Sequence, residues 1–219
     1  MTWTFPNILT ALRLLAAPLI AVMFLFFSRP YADAVAMVLF IVASLTDYLD
    51  GYLARSWGQV TKLGAMLDPI ADKAMVVIAL MVIVAFSSLA LWIVLPAAII
   101  LFREVFVSGL REFLGDTAGT LKVTKLAKWK TATQMVAIAV LLSQGIFEHY
   151  LGMWSWGMDQ AMVADILNGA APDELGLRPM FHAMVWAGNG GLILLWLAAA
   201  LTLITGMDYF RKAAPFLKD

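Results

Sequence analysis

"LTDYLDGYLARSWGQVTKLGAMLDPIADK" spans residues 45–73, and its four aspartates are Asp47, Asp50, Asp68 and Asp72. The segments on either side are apolar. The placing of these carboxylates therefore decides how the rest of the chain is read.

Composition sets the medium. Of 219 residues, 63% are hydrophobic and 14% charged, and the mean hydropathy is +0.87, outside the range of a soluble domain. Several apolar runs reach the roughly 20 residues needed to cross a hydrocarbon layer about 30 Å thick. The alternating ~10-residue segments of a membrane β-barrel do not occur. With no cysteine, neither a disulfide framework nor thiolate chemistry is available. The first apolar run lacks a small-residue cleavage site after it and is interrupted by Arg13, so it is expected to stay as a span. The chain reads as an all-α, polytopic membrane protein. Its zero formal net charge gives no reason to expect a nucleic-acid partner.

Hydropathy and punctuation give six spans. They run from about Leu9 to Phe27, Asp33 to Ser56, Leu67 to Phe86, Leu91 to Leu114, Thr124 to Phe147 and Met180 to Phe210. Ahead of the first, Trp3, Phe5 and Pro6 suit a short interfacial segment. With the N-terminus inside, only Arg29 and Arg178 of the 15 lysines and arginines fall on the outer side. The positive-inside rule then puts both termini in the cytoplasm. The acidic connection over residues 148–180 falls outside. No internal repeat interrupts the chain, so residues 1–219 read as a single membrane domain.

On this topology Asp47 and Asp50 lie at the inner end of the second span, and Asp68 and Asp72 open the third. At about 100° per residue, Asp50, Gly51 and Ala54 lie within roughly 60° of Asp47. Asp68 and Asp72 share a face at i, i+4. The short intervening connection predicts that the second and third spans are antiparallel neighbours, with both faces toward one cavity. Four anions at one depth need cations. Oxygen-only ligands point to a hard divalent ion, Mg²⁺ or Mn²⁺. A proton relay and a salt-bridge cluster with Arg55, Lys62 and Lys73 are the metal-free alternatives. Gly51 and Ala54 favour a ligand lying close to the backbone.

These residues resemble the CDP-alcohol phosphotransferase family, whose signature is D-x2-D-G-x2-A-R-x8-G-x3-D-x3-D. Asp47, Asp50, Gly51, Ala54, Arg55, Gly64, Asp68 and Asp72 match it with every spacing intact. "FPNILTALR" (5–13), "REVFVSGLREF" (103–113) and "KLAKWKTATQMVAIA" (125–139) resemble one bacterial branch of that family. The 148–180 connection is longer than the resemblance leads one to expect. What the resemblance implies is transfer of a phosphatidyl group from CDP-diacylglycerol to sn-glycerol 3-phosphate, giving phosphatidylglycerol phosphate and CMP. It further implies two divalent ions held by Asp47, Asp50, Asp68 and Asp72, with Asp72 as general base. It places CDP-diacylglycerol against Asp47, Asp50, Gly51, Ala54, Arg55, Gly64 and Asp68. It also implies a homodimer in the bacterial inner membrane, with the site facing the cytoplasm.

An acceptor that carries its own phosphate needs a second, cationic pocket. Arg103 and Arg111 lie eight residues apart on one helix, about 80° round its axis. Lys128 and Lys130 point roughly opposite ways, and Lys128 is the one expected to face inward. Positive-inside anchoring is the structural alternative for all of these cations. Asn7, Thr10 and Arg13 suit either nucleotide contact or capping and anchoring. His149 and His182 read as interfacial, and the tryptophans near span ends as an aromatic belt. Rival functions are the same chemistry on another acceptor (phosphatidylglycerol, inositol phosphate or serine), and a cation or proton transporter. A transporter should carry polar groups along a path through the bilayer, and the first, third and fifth spans are almost uncharged toward the outer leaflet.

Overall fold

The computed structural model describes residues 4–58, 61–120 and 125–217; the side chains of Tyr48, Asp50, Arg55, Asp116, Ala118, Thr120 and Lys125 also lie outside the described part. A chain this apolar satisfies its backbone within each segment, because hydrocarbon offers no partner for N–H and C=O groups. The helices are α1 (Phe5–Phe26), α2 (Tyr31–Ser56), α3 (Lys62–Phe86), α4 (Leu91–Leu114), α5 (Lys125–Trp154), α6 (Gln160–Asn168) and α7 (Leu177–Ala213). Short 3₁₀ turns follow α4 and α7. All but α6 are long and apolar enough to cross a membrane, which agrees with the six expected spans.

Two local features add to the sequence reading. From Phe5 onward the expected interfacial stretch is helical and continuous with α1, with Pro6 near its start, where proline costs no backbone bond. The 148–180 connection carries α6, whose amino end is capped by Asp159: its Oδ1 accepts from the Met162 N–H at 2.7 Å. Asp173 accepts from the Leu177 and Arg178 N–H groups at 2.7 and 2.9 Å and so starts α7. These carboxylates complement helix amino termini.

The packing order is the main surprise. α1 packs against both α2 and α3, while α2 and α3 touch only sparsely. The expectation that α2 and α3 are direct neighbours is therefore wrong: α1 is wedged between them. The five residues between Ser56 and Lys62 can reach about 17 Å when extended, enough to step past a helix of about 10 Å diameter. α7 packs along α5 and α4, and α2 meets α5 to join the two halves.

α1 turns Asn7, Thr10, Arg13, Ala17 and Ile20 inward at helical spacing. From Ala17 on, this stripe is apolar and enters a core that includes Phe40, Leu80, Ile100, Ile138 and Leu195. Its first three members are polar yet almost wholly buried, and buried polar groups need partners. At the other end of α1, Arg29 makes a two-pronged contact with Asp33: Nε to Oδ2 at 2.7 Å and Nη2 to Oδ1 at 2.8 Å. The Arg29 guanidinium also lies 4.9 Å from the centre of the Phe86 ring, with Glu148 at 4.0 Å.

Candidate active site

Arg13 organises the carboxylates. Its Nη1 donates to Asp47 Oδ1 and, at 2.5 Å, to Asp72 Oδ1, while Nη2 stands 4.0 Å from Asp68 Oδ1. Thr10 Oγ1 donates to Asp68 Oδ1 at 2.7 Å. The Arg13 side chain is 1% exposed, whereas Asp47, Asp68 and Asp72 are 42–45% exposed. Three carboxylates thus meet one guanidinium, and their outer oxygens face accessible space. Negative charge is in surplus.

Helix capping sets this geometry. Thr61 Oγ1 accepts from the Gly64 N–H at 3.0 Å to start α3, and donates to Asn7 Oδ1 at 2.9 Å. A Cβ on Gly64 would come within 2.8 Å of Asn7 Oδ1, so any larger residue would force the Asn7 side chain to shift. Gly64 thus acts here as a packing residue between α1 and α3. Asp68 then lies one turn beyond Gly64 (i, i+4) and Asp72 another turn on, facing the buried stripe of α1.

The donor set is all oxygen and carries surplus negative charge, a combination that fits a hard divalent cation. Among the described residues no three acidic or histidine side chains already stand in a metal-ligating arrangement. The Arg13 guanidinium lies between Asp47 and Asp72, and the Asp50 side chain is outside the described residues.

Asp47 and Asp72 also border a cavity of about 820 Å³ lined from α2, α3, α4, α5 and α7. Binding sites for small molecules fall in the range of about 300–1,000 Å³. Arg103, Arg111, Lys128, Lys130 and Lys73 line the same cavity, so the acidic and cationic groups share one space. Lys130 Nζ bonds Glu104 Oε1 at 2.5 Å, and Arg103 Nη1 reaches the same oxygen at 3.3 Å. Arg111 stands 5.8 Å from the Tyr209 ring centre.

The choice between the two lysines is corrected: both line the cavity, Lys130 as the buried one and Lys128 as an exposed one. Helical rotation alone misjudged them because Glu104 draws Lys130 inward. Asp68, Gly51, Ala54 and Gly64 are not among the lining residues. The side chain of Arg55 lies outside the described residues. Sequence reasoning missed Gln134, Thr205, Asp208 and Tyr209, which all line the cavity. Only Gln134 had a usable signal, since it follows Lys130 at i, i+4 on α5.

The family model for CDP-alcohol phosphatidyltransferases matches residues 3–164. Several proteins named CDP-diacylglycerol–glycerol-3-phosphate 3-phosphatidyltransferase are similar along nearly their whole length. The protein from Cereibacter sphaeroides is 58% identical over 219 residues, covering 100% of this chain and 99% of its own. That from Salmonella choleraesuis is 39% identical over 221 residues, with 100% of both chains covered. That from Rickettsia bellii is 36% identical over 211 residues, with 96% of both covered. Coverage this complete leaves no room for a long insertion, so the 148–180 connection is not an addition relative to these proteins. On the motif, the six spans and these end-to-end similarities, the chain belongs to the CDP-alcohol phosphatidyltransferase family.

Proposed function

We propose that the chain transfers the phosphatidyl group of CDP-diacylglycerol to sn-glycerol 3-phosphate, the reaction named for its relatives, forming phosphatidylglycerol phosphate and releasing CMP. The observation that carries this reading is the single cavity bordered by surplus carboxylates on one side and a cluster of cations on the other. The two substrates need both: one is cleaved at a pyrophosphate, and the other brings a phosphate of its own.

The acceptor phosphate binds Arg103, Arg111 and Lys128, with Lys130 beside them, as charge-assisted partners. This directs the glycerol hydroxyl toward Asp47 and Asp72. Asp72 takes the hydroxyl proton as the oxygen attacks the phosphatidyl phosphorus. The new P–O bond forms as the bond to CMP breaks, and CMP leaves with the electron pair. Arg13 fixes Asp47 and Asp72 relative to each other, and Thr10 fixes Asp68, so the carboxylates need little reorganisation. Asp47, Asp50, Asp68 and Asp72 would hold two Mg²⁺ or Mn²⁺ ions. When bound, these ions neutralise charge on the pyrophosphate and on the departing CMP. Gly51, Ala54 and Arg55 flank Asp50 on α2 and would receive the nucleotide. Leu45 and Val136, apolar and exposed at the cavity, suit the acyl chains.

The reading further places the protein in a bacterial inner membrane as a homodimer, with both termini and the cavity on the cytoplasmic side. The distribution of lysine and arginine supports that orientation.

An acceptor panel tests the assignment. Purified protein is given CDP-diacylglycerol and Mg²⁺ with labelled glycerol 3-phosphate, inositol phosphate, serine or phosphatidylglycerol, and the lipid product is identified. Efficient product from glycerol 3-phosphate alone is expected. Preference for any other acceptor would reassign the substrate within the family.

A further inference from the structure

Three buried polar atoms around the cationic side of the cavity have no hydrogen-bond partner among the described residues: Gln134 Oε1, Arg103 Nε and Tyr209 Oη. Their residues come from α5, α4 and α7 and all line the cavity. Gln134 is 2% exposed, so an amide oxygen left without a partner there carries a desolvation cost. Buried polar atoms of native folds are nearly always bonded, and three exceptions in one cavity point to a ligand.

The surroundings restrict what that ligand is. Lys130 lies one turn before Gln134 and is already bonded to Glu104, so it does not serve the glutamine. The Arg103 stem crosses α7 at Gly206, where a Cβ would lie 3.0 Å from Arg103 Cγ. This close crossing aims its head at the Glu104 pair and leaves Nε–H unused. Tyr209 follows Gly206 by three residues and stacks its ring toward Arg111.

The unused valences are complementary to a particular chemistry. An Nε–H only donates, and suits an anionic oxygen. A phenol both donates and accepts. Either end of an amide is satisfied by a hydroxyl, which also does both. Phosphate oxygens together with a free hydroxyl satisfy all three groups.

We propose that Gln134 binds the hydroxyl of the acceptor that does not react, while Arg103 Nε and Tyr209 hold the phosphate end. The pocket therefore selects a phosphorylated vicinal diol over a phosphate with a single hydroxyl. This rests on the phosphorylated-alcohol acceptor proposed above.

The test compares sn-glycerol 3-phosphate with 3-hydroxypropyl phosphate, which lacks only the middle hydroxyl. kcat/KM is measured for both with the full-length wild type, Gln134→Met and Gln134→Asn. The wild type should favour the diol by about 10- to 100-fold, the loss typical when a buried polar partner is left unpaired. Gln134→Met should lose that preference by slowing the diol alone, and Gln134→Asn should lie between. A variant that slowed both acceptors equally, keeping the ratio, would overturn the proposal. So would a wild type that used both phosphates equally well, whatever the variants do. If the wild type transferred to neither, the transferase reading itself would fall and this inference with it.

Discussion

The molecule makes Arg–Asp contacts at both ends of the α1–α2 pair, and they are built in opposite ways. At one end, Arg29 grips Asp33 through two bonds, with Glu148 4.0 Å away, and Asp33 is 3% exposed. At the other, the guanidinium is the buried partner, and Asp47, Asp68 and Asp72 share it with their side chains half exposed. A two-pronged contact whose carboxylate is buried ties a connection to a core. An unbalanced, open cluster keeps charge and lone pairs available. Charge pairing between the same residue types therefore separates a fastening from a site by which partner faces water.

The largest effect that sharpens this contrast is expected from Asp72→Asn. It keeps size and one acceptor oxygen but removes the proton-accepting carboxylate, so kcat should fall by about 10²–10⁴. Affinity for CDP-diacylglycerol should change far less, and excess Mn²⁺ should not restore the rate. Recovery to near the wild-type rate by metal alone would make Asp72 a ligand only and remove it from proton transfer.

Next in size are Arg103→Ala and Arg111→Ala. Each should raise KM for glycerol 3-phosphate by about 10- to 150-fold, the worth of a charge-assisted bond, with KM for CDP-diacylglycerol nearly unchanged. Unchanged KM values for both substrates in folded variants would make these arginines membrane anchors.

The smallest effect on activity is expected at the closed end. Asp33→Asn should lower stability by about 1–3 kcal/mol, because one prong of the contact remains and Arg29 keeps some access to solvent. Thermal melting in detergent measures this. kcat/KM per folded molecule should stay within about twofold of wild type. A loss of turnover comparable to that of Asp72→Asn would erase the distinction between the two ends.

Much of this was legible in the chain because its signals are local. Six apolar runs specify six spans, and the spacing from Asp47 to Asp72 carries the family motif and the all-oxygen donor set. The wedge formed by α1 was not legible. A short connection implies neighbouring helices, and no spacing rule reveals that a third helix sits between them. Arg13 therefore read as an anchor or a nucleotide contact, when its role is to gather the carboxylates. Asp208 and Tyr209 were missed for a similar reason: they close a long apolar run, and only the packing of α7 on α4 and α5 brings them to the cavity. Lys128 and Lys130 show the limit of helical angles, since a long side chain with a partly buried acid in reach bends toward it.

Surplus carboxylate around Arg13 is proposed to serve a divalent cation in phosphatidyl transfer. The most direct test of this role is to strip the purified protein of metal with EDTA, supply CDP-diacylglycerol and labelled glycerol 3-phosphate, and follow the lipid product before and after adding Mg²⁺ or Mn²⁺. No phosphatidylglycerol phosphate is expected in the chelated sample, with full return of turnover on adding either ion. Undiminished product in the metal-free sample would contradict this role.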